Sequence, residues 1–330
     1  MAFLDRYRRQ VALLIRTIPF VAAEQEFALK GGTAINLFLR NMPRLSVDID
    51  LTYLPVADRS RSLSAIDAAM QRVSNEIERR ILGARVTPSE LRGEGAITKL
   101  VVRLDNTQIK IEVTPVLRGT VYDPVMMDVA PAVEEAFGYA RMQVVSHADL
   151  YAGKIVAALD RQHPRDLFDV RDLLANEGIT DDLRRAFIVY AISHDRSLAD
   201  ILAPNRKDIM AEFDRGFTGM TDEPAAVEAL IAIRESLIAE MVGNMPAAHR
   251  QFMLGFKRGE PDWSLLGVPR AEELPAVKWK LLNLANLSKE KREHMIARLP
   301  RQSMVAVSAW LSSFGVDTLS AAVASMFPLV

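Results

Sequence analysis

The sequence predicts a mixed α/β fold over residues 1–146 and an all-helical region over residues 147–330. Before His147, short runs rich in β-branched residues alternate apolar and polar side chains, as half-buried strands do. From His147 onward, apolar residues recur at helical spacing, with breaks near Pro164, Gly178, Pro204, 216–219, Pro246 and 261–269. The elements follow in order. Roughly the first 16 residues form an amphipathic helix. Residues 27–30 form a short strand running into Gly31-Gly32, and 33–39 a helix starting straight after that turn. Residues 41–46 are loop, and 47–54 alternate as a strand. A long helix covers 58–80. Strands at 97–104 and 108–116 are joined by a tight Asp105-Asn106 turn. A looser stretch runs to about residue 141, before a short strand at 142–145.

Composition narrows the classes of function. With 330 residues the chain makes one large domain or two of ordinary size, and 49% apolar content supplies a core. The absence of cysteine excludes disulfides, thiolate metal sites and a cysteine nucleophile, and it fits a cytoplasmic location. Net charge is −1, so any nucleic-acid surface must be local. Residues 177–249 carry 7 basic against 13 acidic side chains, and residues 250–301 carry 11 against 6, so only the second segment offers a basic surface. Residues 302–330 hold a single charge, Asp317, but Gly315 and Asp317 divide them into halves too short to cross a bilayer. A buried helical pair, with no membrane partner, is the expectation for that tail.

The chemistry concentrates in two short stretches. In Val47-Asp48-Ile49-Asp50-Leu51, strand alternation turns the three apolar residues to a core and both carboxylates to the opposite face. Two strand residues separate the acids by about 6.5–7 Å at the backbone, close enough to converge on one or two hard divalent cations. An ordinary amphipathic strand with two exposed acids would read the same way. In Lys30-Gly31-Gly32-Thr33, glycines between strand and helix let backbone amides approach phosphate, and Thr33 is placed to cap the helix or to donate to a phosphate oxygen. A plain strand–helix turn is the alternative. The order decides between them: the glycine turn, a short helix, a loop with Arg44 and Ser46, then Asp48 and Asp50 set phosphate donors beside metal ligands. The five histidines lack the close spacing of a zinc site.

At these residues the sequence resembles the nucleotidyltransferase-fold toxins of the AbiEii/AbiGii type, related to the MenT toxins. The likeness rests on Gly31-Gly32-Thr33-Ala34 and Arg44 through Leu51, on Lys154 with Arg161, Arg165-Asp166 and Asp169, and on the segments 256–263 and 274–283. It implies a polymerase-β-like nucleotidyltransferase core with a mixed sheet, over 1–146, and a helical domain over 147–330 that completes the active site and contacts the acceptor. It implies Mg²⁺ or Mn²⁺ on Asp48 and Asp50, joined by Glu112 from a neighbouring strand, with a nucleoside triphosphate as co-substrate. Gly31, Gly32, Thr33, Arg44 and Ser46 then serve the nucleotide together with Lys154 and Arg161, which share a helix face outside the core. Asp166 becomes a base or orienting acid, with Asp169 as its rival. Without the family, Glu112 is equally a cross-strand partner of Arg103 or Lys110, and Arg165–Asp169 an ordinary helical ion pair. The resemblance points to RNA as acceptor, with the tRNA 3′ end as one target, and to a separately encoded antitoxin. A small-molecule acceptor such as an aminoglycoside, or a protein, would keep the same chemistry. A catalytically inactive binding module is the reading from a different class.

Overall fold

The structure, a computed structural model, describes residues 5–221, 224–268 and 270–299. The expected helical pair in 302–330 therefore lies outside the described residues. The chain divides into two compact units. The first comprises 1–150 with the short returns 218–224 and 273–276, and the second comprises 151–217, 225–272 and 277–330.

The first unit is built on a seven-stranded mixed sheet in the order β3-β4-β5-β2-β1-β7-β6. Helix α1 (Asp5–Ala22) leads into β1 (Phe27–Lys30). The turn α2 (Gly31–Thr33) follows at once and widens into a π-helical stretch, Ala34–Leu39. Next come β2 (Asp48–Tyr53), α3 (Arg59–Arg80), β3 (Arg85–Glu90), β4 (Ile97–Leu104) and β5 (Thr107–Val113). β6 (Val125–Asp128), α4 (Pro131–Phe137) and β7 (Arg141–Val144) complete the sheet. β2 runs antiparallel to β1 and parallel to β5, a pairing that needs the long crossover through α3, β3 and β4.

Strand alternation sets the two faces of this sheet. Ile49, Leu51, Leu100, Val102, Ile109, Ile111 and Val113 are all buried, and α1 and α3 pack against β5 and β4. α3 follows the same logic at helical spacing, burying Leu63, Ile66, Met70, Val73 and Ile77, with Asp58 as its N-cap accepting from the Arg61 amide at 2.9 Å. The opposite face carries the intervening polar side chains. The expected Asp105-Asn106 turn joins β4 to β5, and Asp105 adopts φ 50°, the left-handed conformation that a two-residue hairpin demands. The looser stretch is more ordered than its sequence indicates, since it contains β6 and α4.

The second unit is helical throughout the described residues. The division falls within α5 (His147–Arg161), and α6 (Pro164–Asn176), α7 (Asp181–Ser193), α8 (Leu198–Leu202) and α9 (Met210–Gly216) follow. After these come α10 (Val227–Ile238), α11 (Ala247–Arg258), α12 (Pro275–Ala285) and α13 (Lys289–Ala297). α6 opens with Pro164 at its first position and His163 as cap, and Thr180 caps α7 through the Leu183 amide. No helix among the described residues is long and apolar enough to cross a membrane.

Because Ile49 is fully buried while Asp48 beside it is only half-buried, substitutions there must diverge. Ile49→Ala is expected to lower unfolding free energy by about 2–5 kcal/mol. Asp48→Asn is expected to change it by less than about 1 kcal/mol. Urea denaturation of both variants checks the assignment of the two faces.

Candidate active site

β1 and β2 pair so that Lys30 stands opposite Asp50, and β2 and β5 pair so that Asp50 stands beside Glu112. β4 then sets Lys99 beside Glu112. The polar face thus carries a transverse row across four strands, Lys30–Asp50–Glu112–Lys99, with two acids flanked by two lysines. Asp48 lies on the same face two residues from Asp50, in register with Lys110. The Glu112 carboxylate is 3.2 Å from Lys99 Nζ. Neither Arg103 nor Lys110 is its register partner. Asp48, Asp50 and Glu112 share a face, yet among the described residues no three acidic or histidine side chains gather closely enough to hold one metal ion. The expected three-carboxylate cluster is therefore not assembled. Glu112 stays with its lysine, Lys99.

The glycine turn closes against this pair. Gly31 has φ 74°, in the left-handed region, and a Cβ there would fall 2.7 Å from Asp50 Oδ2. A Cβ on Gly32 would fall 2.7 Å from Arg44 Nη2 and 2.9 Å from Ser46 Oγ. The backbone of the turn therefore lies directly on the Asp50 carboxylate, the Arg44 guanidinium and the Ser46 hydroxyl, the three groups separated from it in sequence by a helix and a loop. Arg44 is buried and donates from Nη1 to the Leu45 carbonyl at 3.0 Å. Its loop is pinned from elsewhere in the chain, because Met220 accepts from the Leu45 amide at 2.8 Å and Thr221 forms a β-bridge with Arg44.

Thr33 is placed differently from expectation. It lies inside the helical turn, not at its cap, and is fully buried. Its hydroxyl donates to the Asp48 carbonyl and lies 3.0 Å from Ser46 Oγ. Both uses are internal, so Thr33 ties the turn to the start of β2. Asn36 adds a bond from Nδ2 to the Gly32 carbonyl at 2.9 Å.

Sequence reading missed Lys30 as a member of this site. Burial pushes its ammonium below the usual lysine range, against the pull of Asp50 and Glu112, and Nζ donates to Thr114 Oγ1 at 2.8 Å. The available signal was the alternation of β1: Phe27 and Leu29 point to the core, so Lys30 must share a face with whatever pairs opposite it.

The second unit gathers the remaining predicted residues. Lys154 Nζ lies 2.9 Å from Asp166 Oδ1 and 2.9 Å from Asp169 Oδ2, and Arg161 closes a fork on Asp166 from Nε at 2.5 Å and Nη2 at 3.0 Å. Asp166 and Asp169, whose spacing does not separate them, both meet Lys154. The expectation that Lys154 stands outside the core fails: its side chain is 6% exposed, and those of Asp166 and Asp169 are 2% and 0%. Arg161 alone reaches outward, with its side chain 61% exposed. Burial works against a charged Asp166, but Lys154 and Arg161 outweigh it and hold its carboxyl well below the usual range. A carboxyl held so low is a poor proton acceptor near neutrality.

In the basic segment 250–301, of which residues 269, 300 and 301 lie outside the described residues, Trp263 packs its ring on Phe252 at 5.0 Å. Trp279 is 58% exposed. Lys257 is buried, and burial with the neighbouring Lys280 pushes it down to about 8.

The Lys154 triad yields two stability predictions. Lys154→Ala removes the cation shared by two buried carboxylates and is expected to cost about 3–5 kcal/mol by denaturant titration. Because the folded-state value of Asp166 is depressed, its contribution is complete above the unfolded value near pH 4 and is lost as pH falls below it. Asp166→Asn should therefore flatten the acid limb of a stability–pH profile.

A model of the nucleotidyl transferase AbiEii toxin family, a type IV toxin–antitoxin system, matches residues 12–283. Curated protein sequences give no match. Among solved structures the chain is similar to MenT4, a nucleotidyltransferase toxin from Mycobacterium tuberculosis H37Rv, with a TM-score of 0.57 over 85% of this chain and 94% of that one. Identity there is 18%, so this likeness concerns the fold. The family match covers most of the sequence, and on that ground the chain belongs to the AbiEii family of nucleotidyltransferase toxins.

Proposed function

We propose that this nucleotidyltransferase moves a nucleoside monophosphate from a nucleoside triphosphate to a hydroxyl of an RNA acceptor, with the tRNA 3′ end as one target. The observation that carries the reading is the closure of the Gly31-Gly32 turn on Asp50, Arg44 and Ser46. Backbone amides, a guanidinium and carboxylates within one small space suit a metal-bound triphosphate better than any other common ligand.

Two carboxylates on one strand face match the donor count of Mg²⁺, which typically takes one or two and completes its shell with water and substrate phosphates. Asp48 and Asp50 would hold it, and Mn²⁺ would fit the same hard oxygen donors. Such an ion supplies Lewis acidity and charge neutralisation at the phosphate being transferred. The protein's own groups do the rest. The amides of Gly31 and Gly32 cradle phosphate oxygens, Thr33 and Asn36 fix the turn, and Arg44 counters charge on the leaving group. The acceptor oxygen bonds to the α-phosphorus as the bond to the bridging oxygen breaks, pyrophosphate departs, and the hydroxyl proton passes to solvent. Lys30 keeps Asp50 oriented in the transverse row.

Residues 1–146 form the nucleotidyltransferase core in this account, and residues 147–330 supply contacts to the acceptor. Lys154, paired also with Asp169, braces Asp166, which holds Arg161 out for a phosphate. The basic segment with exposed Trp279 offers phosphate neutralisation and a stacking ring. The family implies a nucleoside triphosphate substrate and an antitoxin partner. Transfer to a protein or small molecule is the competing outcome.

Incubation with Mg²⁺, each α-labelled nucleoside triphosphate in turn, and either total RNA or a protein extract decides among them. Label is expected in an RNA band, and label only in protein or small-molecule fractions would refute the RNA acceptor. Asp48→Ala and Asp50→Ala should each cut transfer by at least about a hundredfold at near-normal stability. Gly32→Val should weaken triphosphate affinity, because the added side chain meets Arg44 and Ser46. Neutralising several basic residues of 250–299 should reduce RNA affinity and its salt slope together.

A further inference from the structure

Arg118 is the outstanding unexplained charge of the first unit. Its segment follows β5, and the Gly119 amide donates to the Tyr53 carbonyl at 2.8 Å, so Arg118 is fixed beside the far end of β2. The residue is 6% exposed, and its Nε and Nη1 are buried without a hydrogen-bond partner. Two buried donors on a group that cannot give up its proton are a standing cost, which neighbouring protein groups do not relieve. Asp58 is the nearby acid, but it is exposed and accepts from the Arg61 amide as the cap of α3. Arg59 is also close and adds like charge. Gly119 leaves the backbone no slack, since φ is 77° and a Cβ would fall 2.8 Å from Leu274 Cδ2 and 3.1 Å from Val56 Cγ2.

A buried, pre-positioned guanidinium with free donors is what an oxyanion requires, because the planar fork matches phosphate geometry. We propose that Arg118 forms a second phosphate-binding subsite, distinct from the Gly31–Asp50 cradle. Tyr53 lies three residues beyond Asp50 on β2, about 10 Å along the strand, so the two sites accept different phosphate groups. The choice of phosphate over carboxylate rests on the nucleotidyltransferase reading, whose substrates carry phosphates. The source is either a backbone phosphate of a polynucleotide acceptor or a small phosphate such as the pyrophosphate product.

Thermal unfolding of the full chain tests this without turnover, so its failure is separable from that of the proposed activity. The probes are inorganic phosphate, pyrophosphate and a short single-stranded oligoribonucleotide, against wild type, Arg118→Met and Arg118→Lys. In phosphate-free buffer Arg118→Met should be at least as stable as wild type, since it removes a buried unpaired charge without opening a cavity. At least one probe should raise the wild-type Tm, and Arg118→Met should bind that probe about tenfold more weakly, with Arg118→Lys between them. A response to the oligoribonucleotide alone identifies the acceptor backbone, and a response to phosphate or pyrophosphate identifies the small ligand. Two results would overturn the proposal. One is a marked loss of stability in Arg118→Met without ligand, meaning that water or Asp58 already satisfies the guanidinium. The other is identical binding of all three probes by wild type and Arg118→Met.

Discussion

The contact between the Gly31 backbone and the Asp50 carboxylate organises the first unit of this protein. It exists because β1 ends where the β1–β2 register sets Lys30 opposite Asp50, so the residue after Lys30 must turn across the carboxylate. Any side chain at residue 31 would collide with Asp50 Oδ2, and the left-handed φ there excludes most residues independently. The helical turn that follows is then aimed by Thr33, which ties it to the Asp48 carbonyl. Sheet register, turn geometry and carboxylate placement are one constraint seen at three positions. The chemistry we propose is largely positioning, with a backbone turn for phosphate and a pair of acids for a metal ion held on rigid backbone rather than on a loop.

Charge across the sheet serves the same end. A carboxylate pair on a half-buried face repels itself and must be balanced. Lys30 and Lys99 flank Asp50 and Glu112 in the transverse row, so the face is close to neutral there. The partition is uneven, because Glu112 is committed to Lys99, whereas Lys30 donates its hydrogen bond to Thr114 and acts on Asp50 through space. The second unit solves a related problem by burial, locking two acids onto one lysine and leaving only the outward arginine exposed. A lysine drawn so far into the fold combines structure with any functional role, and substitutions there change both.

The parts legible in the sequence were those with two-sided periodicity. β2, β4 and β5 bury one face each, so their alternation survives in the residues, and the long helix α3 shows its apolar stripe at 63, 66, 70, 73 and 77. β3 and β6 were invisible because they are edge strands with almost every side chain in solvent, and β3 even carries Pro88, which only an edge tolerates. α4 did leave a signal, with Pro131 at its first position, amid residues otherwise typical of loop. In the site, Asp48, Asp50 and the glycine turn were legible because motif order reflects their adjacency. Lys30, Arg118 and the anchoring of Arg44–Leu45 by Met220–Thr221 were not, because each depends on register or on a return of the chain from residue 218. Burial of the Lys154 triad was likewise hidden, since helical spacing fixes which residues share a face without saying whether that face is covered.

The central claim is that glycine turn and carboxylate pair form one site for a metal-bound triphosphate. Coupling between the two ligands measures this directly. Triphosphate affinity should be determined by titration with and without Mg²⁺, for wild type and for Asp50→Asn. The account predicts that Mg²⁺ tightens triphosphate binding to wild type by at least about tenfold, or about 1.4 kcal/mol of coupling, and that Asp50→Asn abolishes most of that gain. Equal coupling in wild type and Asp50→Asn would show that the carboxylate and the phosphate cradle do not act on a common ligand, and would contradict the account.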